Sequence, residues 1–376
     1  DGHIWLNNSS SAAGGDAIWR FDGADAWTAY RVPEDLPWAD PWTDLADVLV
    51  ASDGHVWVAN ETLPGLAEFD GTTWTLHGED QTRLESLAEG PDGGIWAIGN
   101  PVGGDDAYFV FAGGEFTRYG FPDPIVLEID PEDGTIYVAN WAGTVLRSTD
   151  GGDSWTTFLS DLSTVRAIAP QPQSPDVWIG TSGAVGHFRA SGELVRDHNS
   201  YNTGLPWYWV GRMTTAADGH FWVATDEAGL SRFDGQVWRN WGTHNAGAEP
   251  YPFENNDPMG AVYQDAAGTH WFGGNGIARW EEDTGEFTGF WNWQNNPGMG
   301  VGLWIEVAED AGGNLVAVEE RGATYYLLGL RRKHLLRVEE NLKLTFPGLR
   351  LVGRHPGYYA QTLESEEGWE VGEHRL

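Results

Sequence analysis

The chain has 376 residues, contains 51 glycines and 22 tryptophans, and carries a formal net charge of -35. Repulsion from phosphate argues against nucleic acid as a partner, and the same repulsion argues against an anionic membrane surface. No run of about 18 apolar residues occurs, so we expect no membrane insertion. Because cysteine is absent, disulfides and thiolate sites are excluded.

A tight turn followed by a strand recurs along the chain, with an aromatic residue at a fixed place in the strand. The copies begin about 39 to 52 residues apart, which is the length of a β-propeller blade. The aromatic side chains of these strands are expected to pack as wedges between blades. The copies are DGHIWLNN (1–8), DGHVWVAN (53–60), DGGIWAIG (92–99), DGTIYVAN (133–140), SPDVWIGT (174–181), DGHFWVAT (218–225) and AGTHWFGG (267–274), with a weaker eighth, GGNLVAVE (312–319).

A second strand–turn–strand signal follows each of the first seven copies, as in LAEFDGTTW (66–74). Its turns are mostly DG or GG, which accept the positive φ of hairpin loops. A third apolar run, such as LADVLVAS (45–52), closes each unit. Four strands per unit therefore predict an all-β fold, a β-propeller over residues 1–320.

The number of blades depends on how the ends of the chain meet. The first unit has no strand before Asp1, and LWIEVAED (303–310) follows unit seven without a full blade of its own. The simplest closure pairs residues 303–310 with residues 3–8 and completes a seven-bladed ring. Eight blades, using NLVAVEE (314–320) and TYYLLGL (324–330), are the alternative.

Two repeat motifs carry a family resemblance. The pattern DG-x-x-W-x-A-T followed by G-L-x-R-F-D-G-x-x-W, clearest at 218–238, resembles the two-component-regulator propeller repeat. That family forms the extracytoplasmic sensor half of bacterial receptors, which implies a binding role and an extracellular or periplasmic location. STDGGDSW (148–155) is similar to the Asp-box of sialidase-like propellers. This second resemblance implies that Asp150 ties a hairpin and that Trp155 plugs the blade, with no catalytic role. No signal peptide is expected, because DGHIW (1–5) already reads as a strand.

The C-terminal residues differ in composition from the repeats, since both lysines lie at 333 and 343. Apolar residues over 331–345 favour an amphipathic helix. We therefore predict that 321–376 is a short α/β-like extension, strand–helix–strand, packed on the propeller. YYLLGL…HPGYY (325–359) is similar to a fragment of the N-acetylmannosaminyl glycosyltransferase family of teichoic-acid synthesis. Because the family's acceptor-side half is absent, we expect no sugar transfer.

Long loops rich in aromatic residues form the candidate binding site. The loops that join consecutive units are long after units one, five, six and seven, and short after units two and four. Their rings either pack the loops together over the channel mouth or stack on a sugar, with asparagines as hydrogen-bonding partners. The candidate ligand-binding residues are Trp38, Trp42, Trp207, Trp209, Trp291, Trp293, Asn202 and Asn295.

Catalytic and metal sites are less well supported by the sequence. The arginines that a sialidase would need recur at one repeat position, and so do several histidines, so we expect both sets to be structural. No cofactor is expected, although calcium at acidic turns such as Asp130–Asp133 stays an open alternative without the EF-hand spacing. The repeat-position residues are Arg20, Arg147, Arg232 and Arg279, and His3, His55 and His220.

The sequence as a whole favours an extracytoplasmic β-propeller that binds a glycan or a partner protein. One alternative is a propeller enzyme, either a glycoside hydrolase or a lyase. A hydrolase would show two carboxylates about 5–10 Å apart in the loop-side pocket. Another is a structural surface or filament subunit, which would bury its aromatic loops in a subunit contact well above about 1,000 Å².

Overall fold

The computed structural model describes the strands of the chain and most of their turns. Side chains are described for most of these residues up to 287, and only the backbone is described in the strands beyond it. The described residues are 3–8, 17–21, 27–32, 34–38, 45–78, 82–101, 107–199, 201–203, 205, 210–215, 220–225, 229–241, 261–265, 268–273, 277–281, 284–291, 304–309, 315–319, 325–329, 334–338, 343–345, 350–352, 360–362 and 370–372.

Every element in these residues is a β-strand, and the strands form antiparallel sheets in chain order. Sheet 1 has three strands and sheets 2 to 4 have four each. The strands are β1 (Ile4–Asn8), β2 (Ala17–Phe21) and β3 (Trp27–Arg31); β4 (Leu45–Val50), β5 (Val56–Asn60), β6 (Leu66–Phe69) and β7 (Trp74–His77); β8 (Thr82–Glu89), β9 (Ile95–Pro101), β10 (Ala107–Ala112) and β11 (Glu115–Tyr119); β12 (Pro124–Ile129), β13 (Ile136–Asn140), β14 (Val145–Ser148) and β15 (Thr156–Leu159).

Sheets 5 to 7 also have four strands, and sheet 8 has six in the order β28-β29-β30-β31-β34-β35. A separate pair is formed by β32 and β33. The strands are β16 (Val165–Pro170), β17 (Val177–Thr181), β18 (Ala184–Phe188) and β19 (Leu194–Asn199); β20 (Val210–Thr215), β21 (Phe221–Thr225), β22 (Gly229–Phe233) and β23 (Trp238–Trp241); β24 (Ala261–Gln264), β25 (His270–Gly273), β26 (Ile277–Glu281) and β27 (Glu286–Trp291); β28 (Trp304–Glu309), β29 (Leu315–Glu319), β30 (Tyr325–Gly329), β31 (His334–Val338), β32 (Lys343–Thr345), β33 (Arg350–Val352), β34 (Ala360–Thr362) and β35 (Glu370–Gly372).

In sheets 2, 4, 5 and 6 the second strand is buried along its whole length. All five residues of β5, β13, β17 and β21 are buried, as expected for a strand that is covered on both faces. The repeat aromatic lies in this strand in sheets 2 to 7, whereas that of sheet 1, Trp5, lies in the first strand, β1. Trp57, for example, packs in one cluster with Phe109 and Phe111 of the next sheet. The predicted wedge role is confirmed for the aromatics that cluster with residues of the next sheet: Trp5, Trp57, Trp96, Tyr137 and Trp222. Trp178 and Trp271 are buried as well.

The first strands of successive sheets lie side by side. β4 contacts β8, β8 contacts β12, and β12 contacts β16; β20 contacts β24, and β24 contacts β28. Six of these strands share a β-bulge near their start, and a bulge increases local twist. This arrangement is that of the inner strands of propeller blades, and the fold is an all-β propeller to which seven blades fit.

The chain divides into two compact units. Unit 1 consists of residue 1 and residues 5–19 and 29–197, and unit 2 of residues 2–4, 20–28 and 198–376. Each has its own hydrophobic clusters, such as that around Trp57 in unit 1 and that around Trp222 in unit 2. The site described below for Trp141 lies within unit 1.

The predicted pairing of residues 303–310 with residues 3–8 is wrong. β28 pairs with β29, and β1 has β2 as its neighbour in sheet 1. The physical reason is local: only a short connection separates β28 from β29, so the hairpin forms at a smaller loop-closure cost than a pairing between distant segments. The seven repeat units still correspond to sheets 1 to 7.

The helix predicted over 331–345 is also wrong, because the described residues there are the strands β31 and β32. Leu336 pairs with Leu327 and Val338 with Tyr325, so alternation with period 2 prevails over the helical spacing of the leucines. β30 pairs with β29 across residue 320. The division of the chain into 1–320 and 321–376 stays a prediction.

Candidate functional site

A locked turn joins β13 to β14 at residues 141–144. Asn140, the last residue of β13, is only 4% exposed. Its Oδ1 accepts a hydrogen bond of 3.0 Å from the N–H of Thr144, and its Nδ2 donates one of 3.2 Å to the carbonyl of Pro122. A buried amide that is satisfied in both directions fixes the turn, since breaking such bonds leaves buried polar groups without partners.

Gly143 brings this turn against the segment before β16. The N–H of Leu162 donates to the Gly143 carbonyl at 3.2 Å. Gly143 has φ +79, and a Cβ there would lie 1.9 Å from the Leu162 carbonyl oxygen. Only glycine permits both the dihedral angle and the close approach.

Trp141 is the exposed side chain of this turn. Its backbone N–H donates to the Asp123 carbonyl at 3.3 Å, and its carbonyl accepts from Oγ1 of Thr164. The side chain is nevertheless 54% exposed. Because the backbone is held and more than half of the side chain is exposed, Trp141 presents a flat apolar surface without a loop-ordering cost on binding.

Arg166 lies over the Trp141 ring, with its Cζ 5.9 Å from the ring centroid, within the range of a cation–π contact. Arg166 occupies the bulge of β16, between Val165 and Ala167. Bulges re-aim side chains at the ends of strands. An indole beside a guanidinium can stack on one flat group and donate hydrogen bonds to oxygens beside it.

Unit 2 contains a second exposed aromatic on a rigid turn. Tyr201 is 82% exposed. Oδ1 of Asn199 accepts from the N–H of Tyr201 at 2.9 Å, and Oδ1 of Asn202 accepts from the N–H of Asn199 at 3.0 Å. Thr203 closes the turn by donating its N–H to the Asn199 carbonyl at 3.1 Å. These Asx-type bonds hold the turn that carries the tyrosine.

Three of the candidate binding residues predicted from the sequence can be placed. Asn202 holds the Tyr201 turn. Trp38 is only 3% exposed, and its Nε1 donates to the Pro64 carbonyl at 3.1 Å, so it packs in the core rather than on a binding surface. Trp291 is the last residue of β27 and lies opposite Ile277, so it belongs to a strand and not to a loop. Trp42, Trp207, Trp209, Trp293 and Asn295 lie outside the described residues.

The burial of Trp38 has a clear cause. The N–H groups of Asp35 and Leu36 donate to the Arg31 carbonyl, which curls the segment after β3. Val32 and Leu36 then pack with Trp38 in one cluster with Trp5.

Trp141 was not among the candidates predicted from the sequence. A signal for it was present, because an aromatic residue directly follows the strand-ending Asn140, whereas the charged Glu61 follows the equivalent Asn60.

Strand register confirms the repeat position of three of the four arginines, and for Arg20 it stays a prediction. Arg147 lies opposite Tyr137, Arg232 opposite Trp222, and Arg279 opposite Trp271. Each arginine therefore accompanies its own blade's aromatic, and Arg232 also donates to Nδ1 of His220 at 2.7 Å.

Asp150 ties the β14–β15 hairpin. Its Oδ1 accepts from the N–H of Ser154 at 2.9 Å and from Oγ of Ser148 at 2.8 Å. Bonds from Ser154 and Ser148 hold the pKa of Asp150 below its ordinary value. Trp155 donates its Nε1 to the Gly152 carbonyl at 3.0 Å, which fixes the ring over the turn.

An acidic cavity of about 480 Å³ lies in unit 1, at the end of the strands opposite to the Trp141 turn. It is lined by the turns before β5, β9 and β13. Its carboxylates already hold these turns: Glu89 accepts from Ser52, and Glu132 accepts from the N–H of Gln173 at 2.7 Å. Oδ1 of Asp130 accepts from the N–H of Glu132 at 2.8 Å. The described residues contain no group of three or more His, Asp or Glu able to hold a metal ion. Calcium at this turn therefore stays a prediction.

Solved structures that resemble the chain are β-propellers. Virginiamycin B lyase from Staphylococcus aureus is 14% identical with a TM-score of 0.54, and the match covers 87% of this chain and 96% of the lyase. The extracellular domain of a hybrid two-component system from B. thetaiotaomicron is 16% identical with a TM-score of 0.51, covering 82% of this chain and 34% of that one. YCF48 bound to D1 peptide is 15% identical with a TM-score of 0.51, covering 82% and 94%.

These likenesses establish the propeller fold, and at such identities they establish the fold alone. No protein-family model and no curated protein matches the sequence. Within the described part of the chain, no helix has the length and hydropathy to cross a membrane.

Proposed function

We propose that the chain is an extracytoplasmic recognition module that binds a glycan through aromatic side chains at the ends of its propeller strands. The observation that carries this proposal is Trp141. The described repeat aromatics are buried, whereas this indole is 54% exposed on a turn that hydrogen bonds hold on both sides. An exposed indole on a rigid turn is suited to stack on the apolar face of a sugar ring.

Arg166 supports the same proposal. Its guanidinium lies over the indole and supplies donors for sugar hydroxyls or carboxylates beside the stacked ring. The extracytoplasmic location rests on the resemblance of residues 218–238 to the two-component-regulator repeat, and the likeness to an extracellular two-component domain agrees with it.

A partner protein is the second candidate ligand. Tyr201 favours it, because an 82% exposed tyrosine on a rigid turn is typical of protein interfaces. Tyrosine adds contact area with little loss of side-chain entropy.

A glycan array probed with the whole chain and with Trp141→Ala tests the proposal. We expect binding of at least one glycan class by the parent and its loss in the variant. Val50→Ala is the matched control, because Val50 is 46% exposed but lies at the other end of the strands in unit 1. An array on which the parent binds nothing, together with capture of a protein that Tyr201→Ala releases, would favour the second candidate.

A further inference from the structure

Sheet 2 departs from the repeat at the position opposite its aromatic. Sheets 4, 6 and 7 have an arginine there, whereas sheet 2 has Glu68 opposite Trp57. A carboxylate beside a buried indole needs partners. Two histidines supply them: Nδ1 of His55 lies 2.6 Å from one oxygen of Glu68, and Nε2 of His77 lies 2.6 Å from the other.

The three residues lie on, or directly before, three adjacent strands. His55 directly precedes β5, Glu68 belongs to β6, and His77 is the last residue of β7, the edge strand of sheet 2. Their side chains are 36%, 20% and 23% exposed, so protons can reach them while solvent screening stays incomplete. The Glu68 carboxylate of β6 thus links the start of β5 to the end of β7.

We propose that His55, Glu68 and His77 form a pH-sensitive switch that tightens the outer strands of sheet 2 when His55 is protonated. A protonated imidazole donates its hydrogen bond as a cation to an anion, so the contact with Glu68 is then an ion pair as well as a hydrogen bond. When His55 loses its proton, the imidazole can still donate to the carboxylate, but the ion pair is lost and the link between His55 and β6 weakens.

The groups around His55 set the direction of the switch. The hydrogen bond to Glu68 raises the pKa of His55 most, burial opposes it, and the nearby charges of Asp53 and Asp70 raise it further. Nδ1 of His55 lies 3.9 Å from Oδ2 of Asp53. Sheet 3 packs against this side with the uncharged Phe111, whose ring centroid is 4.6 Å from that of His77, and with Phe116.

These contacts determine how the stability of sheet 2 depends on pH. Since the folded protein raises the pKa of His55 above 6.5, the added stability is complete below about pH 6.5 and is lost as the pH rises through the folded value. The outer strands of sheet 2 are therefore firmer in mildly acidic surroundings than in alkaline ones.

The test combines histidine titration by NMR with amide exchange, on the whole chain and on Glu68→Gln. We expect His55 to titrate above pH 6.5 in the parent and to move down in the variant. His187 is the internal reference, because burial lowers its pKa and Glu68 does not touch it. Relative to residues 156–159 of sheet 4, exchange at residues 74–77 should slow about fivefold between pH 8.5 and 6, the ratio expected when a neutral imidazole becomes a cation paired with the carboxylate.

Glu115→Gln, a substitution of an exposed residue on β11, should change neither measurement. A parent His55 that titrates at or below pH 6.5, or an exchange ratio that does not vary with pH, would overturn the proposal. So would a Glu68→Gln variant that keeps the parent's titration. Should that variant fail to fold, the titration and exchange of the parent decide the question alone.

Discussion

The N–H of Leu87 donates a hydrogen bond of 2.9 Å to Oδ2 of Asp47, and so joins β8 to β4. The other oxygen of Asp47 accepts from the N–H of Val48 at 2.8 Å. One carboxylate therefore links the first strands of two successive sheets, in addition to the apolar contacts between those sheets.

Asp47→Ala should lower the free energy of unfolding by about 1–3 kcal/mol, because it leaves the part-buried N–H of Leu87 without this acceptor. Urea denaturation measures the change. Glu115→Ala, at an exposed edge position, should stay within about 0.5 kcal/mol of the parent. Equal losses in the two variants would show that the Asp47 bond contributes nothing.

Glu128→Gln should stabilise the protein above about pH 7. Burial, with a smaller contribution from Asp130, raises the pKa of Glu128 to about 7, against 4.5 in the unfolded chain. The folded protein thus takes up a proton between pH 7 and 4.5 that the unfolded chain lacks, so the carboxylate's destabilising effect is complete above about pH 7 and fades as the pH falls towards 4.5.

The gain in Glu128→Gln should be about 1–3 kcal/mol at pH 8 and near zero at pH 4.5. Urea denaturation at the two pH values measures it. A gain of the same size at both would mean that packing, and not the charge, explains the effect.

Gly143→Ala should destabilise the Trp141 turn by more than the dihedral angle alone would cost. Its Cβ would lie 1.9 Å from the Leu162 carbonyl oxygen, so the two segments must separate. Gly71→Ala is the matched control, because Gly71 also has positive φ, +93, but open space around it. Gly71→Ala should cost about 1 kcal/mol, and Gly143→Ala at least about 1 kcal/mol more, measured by urea denaturation. Similar losses in the two variants would contradict the close packing of the turn.

Trp222→Ala should lower the free energy of unfolding by about 3–5 kcal/mol, since Trp222 is fully buried among Trp241, Phe272 and Trp280. Trp141→Ala should cost little, since more than half of that side chain is exposed. Thermal melting of both variants measures the contrast. A larger loss in Trp141→Ala would mean that this indole is a packing residue.

The sequence predicts the repeating part of the fold because each blade combines a turn signal with a buried aromatic at fixed spacing. The β5 segment Val56–Asn60 and its counterparts need no long-range information to be recognised as buried strands. Pairing at the ends of the chain is different. Whether β28 pairs with β29 or with β1 depends on the competition between a local and a distant partner, which periodicity does not encode.

The candidate site was harder to predict for a similar reason. The sequence does not distinguish a loop tryptophan whose side chain is buried, as in Trp38, from one whose side chain is exposed, as in Trp141. The difference lies in backbone hydrogen bonds such as that from Trp141 to the Asp123 carbonyl, which joins segments well apart in sequence. The departure of Glu68 from the arginine of other repeats was visible in the sequence, but its link to His77 needed the strand register.

The most direct test of the recognition role is the dissociation constant of the strongest array ligand, measured by titration calorimetry for the parent, Trp141→Ala and Val50→Ala. Losing one stacked indole should cost about 1–3 kcal/mol, so Kd should rise about 5- to 150-fold in Trp141→Ala. Val50→Ala should bind like the parent. A Trp141→Ala variant that melts like the parent and binds with the parent's Kd would contradict the account.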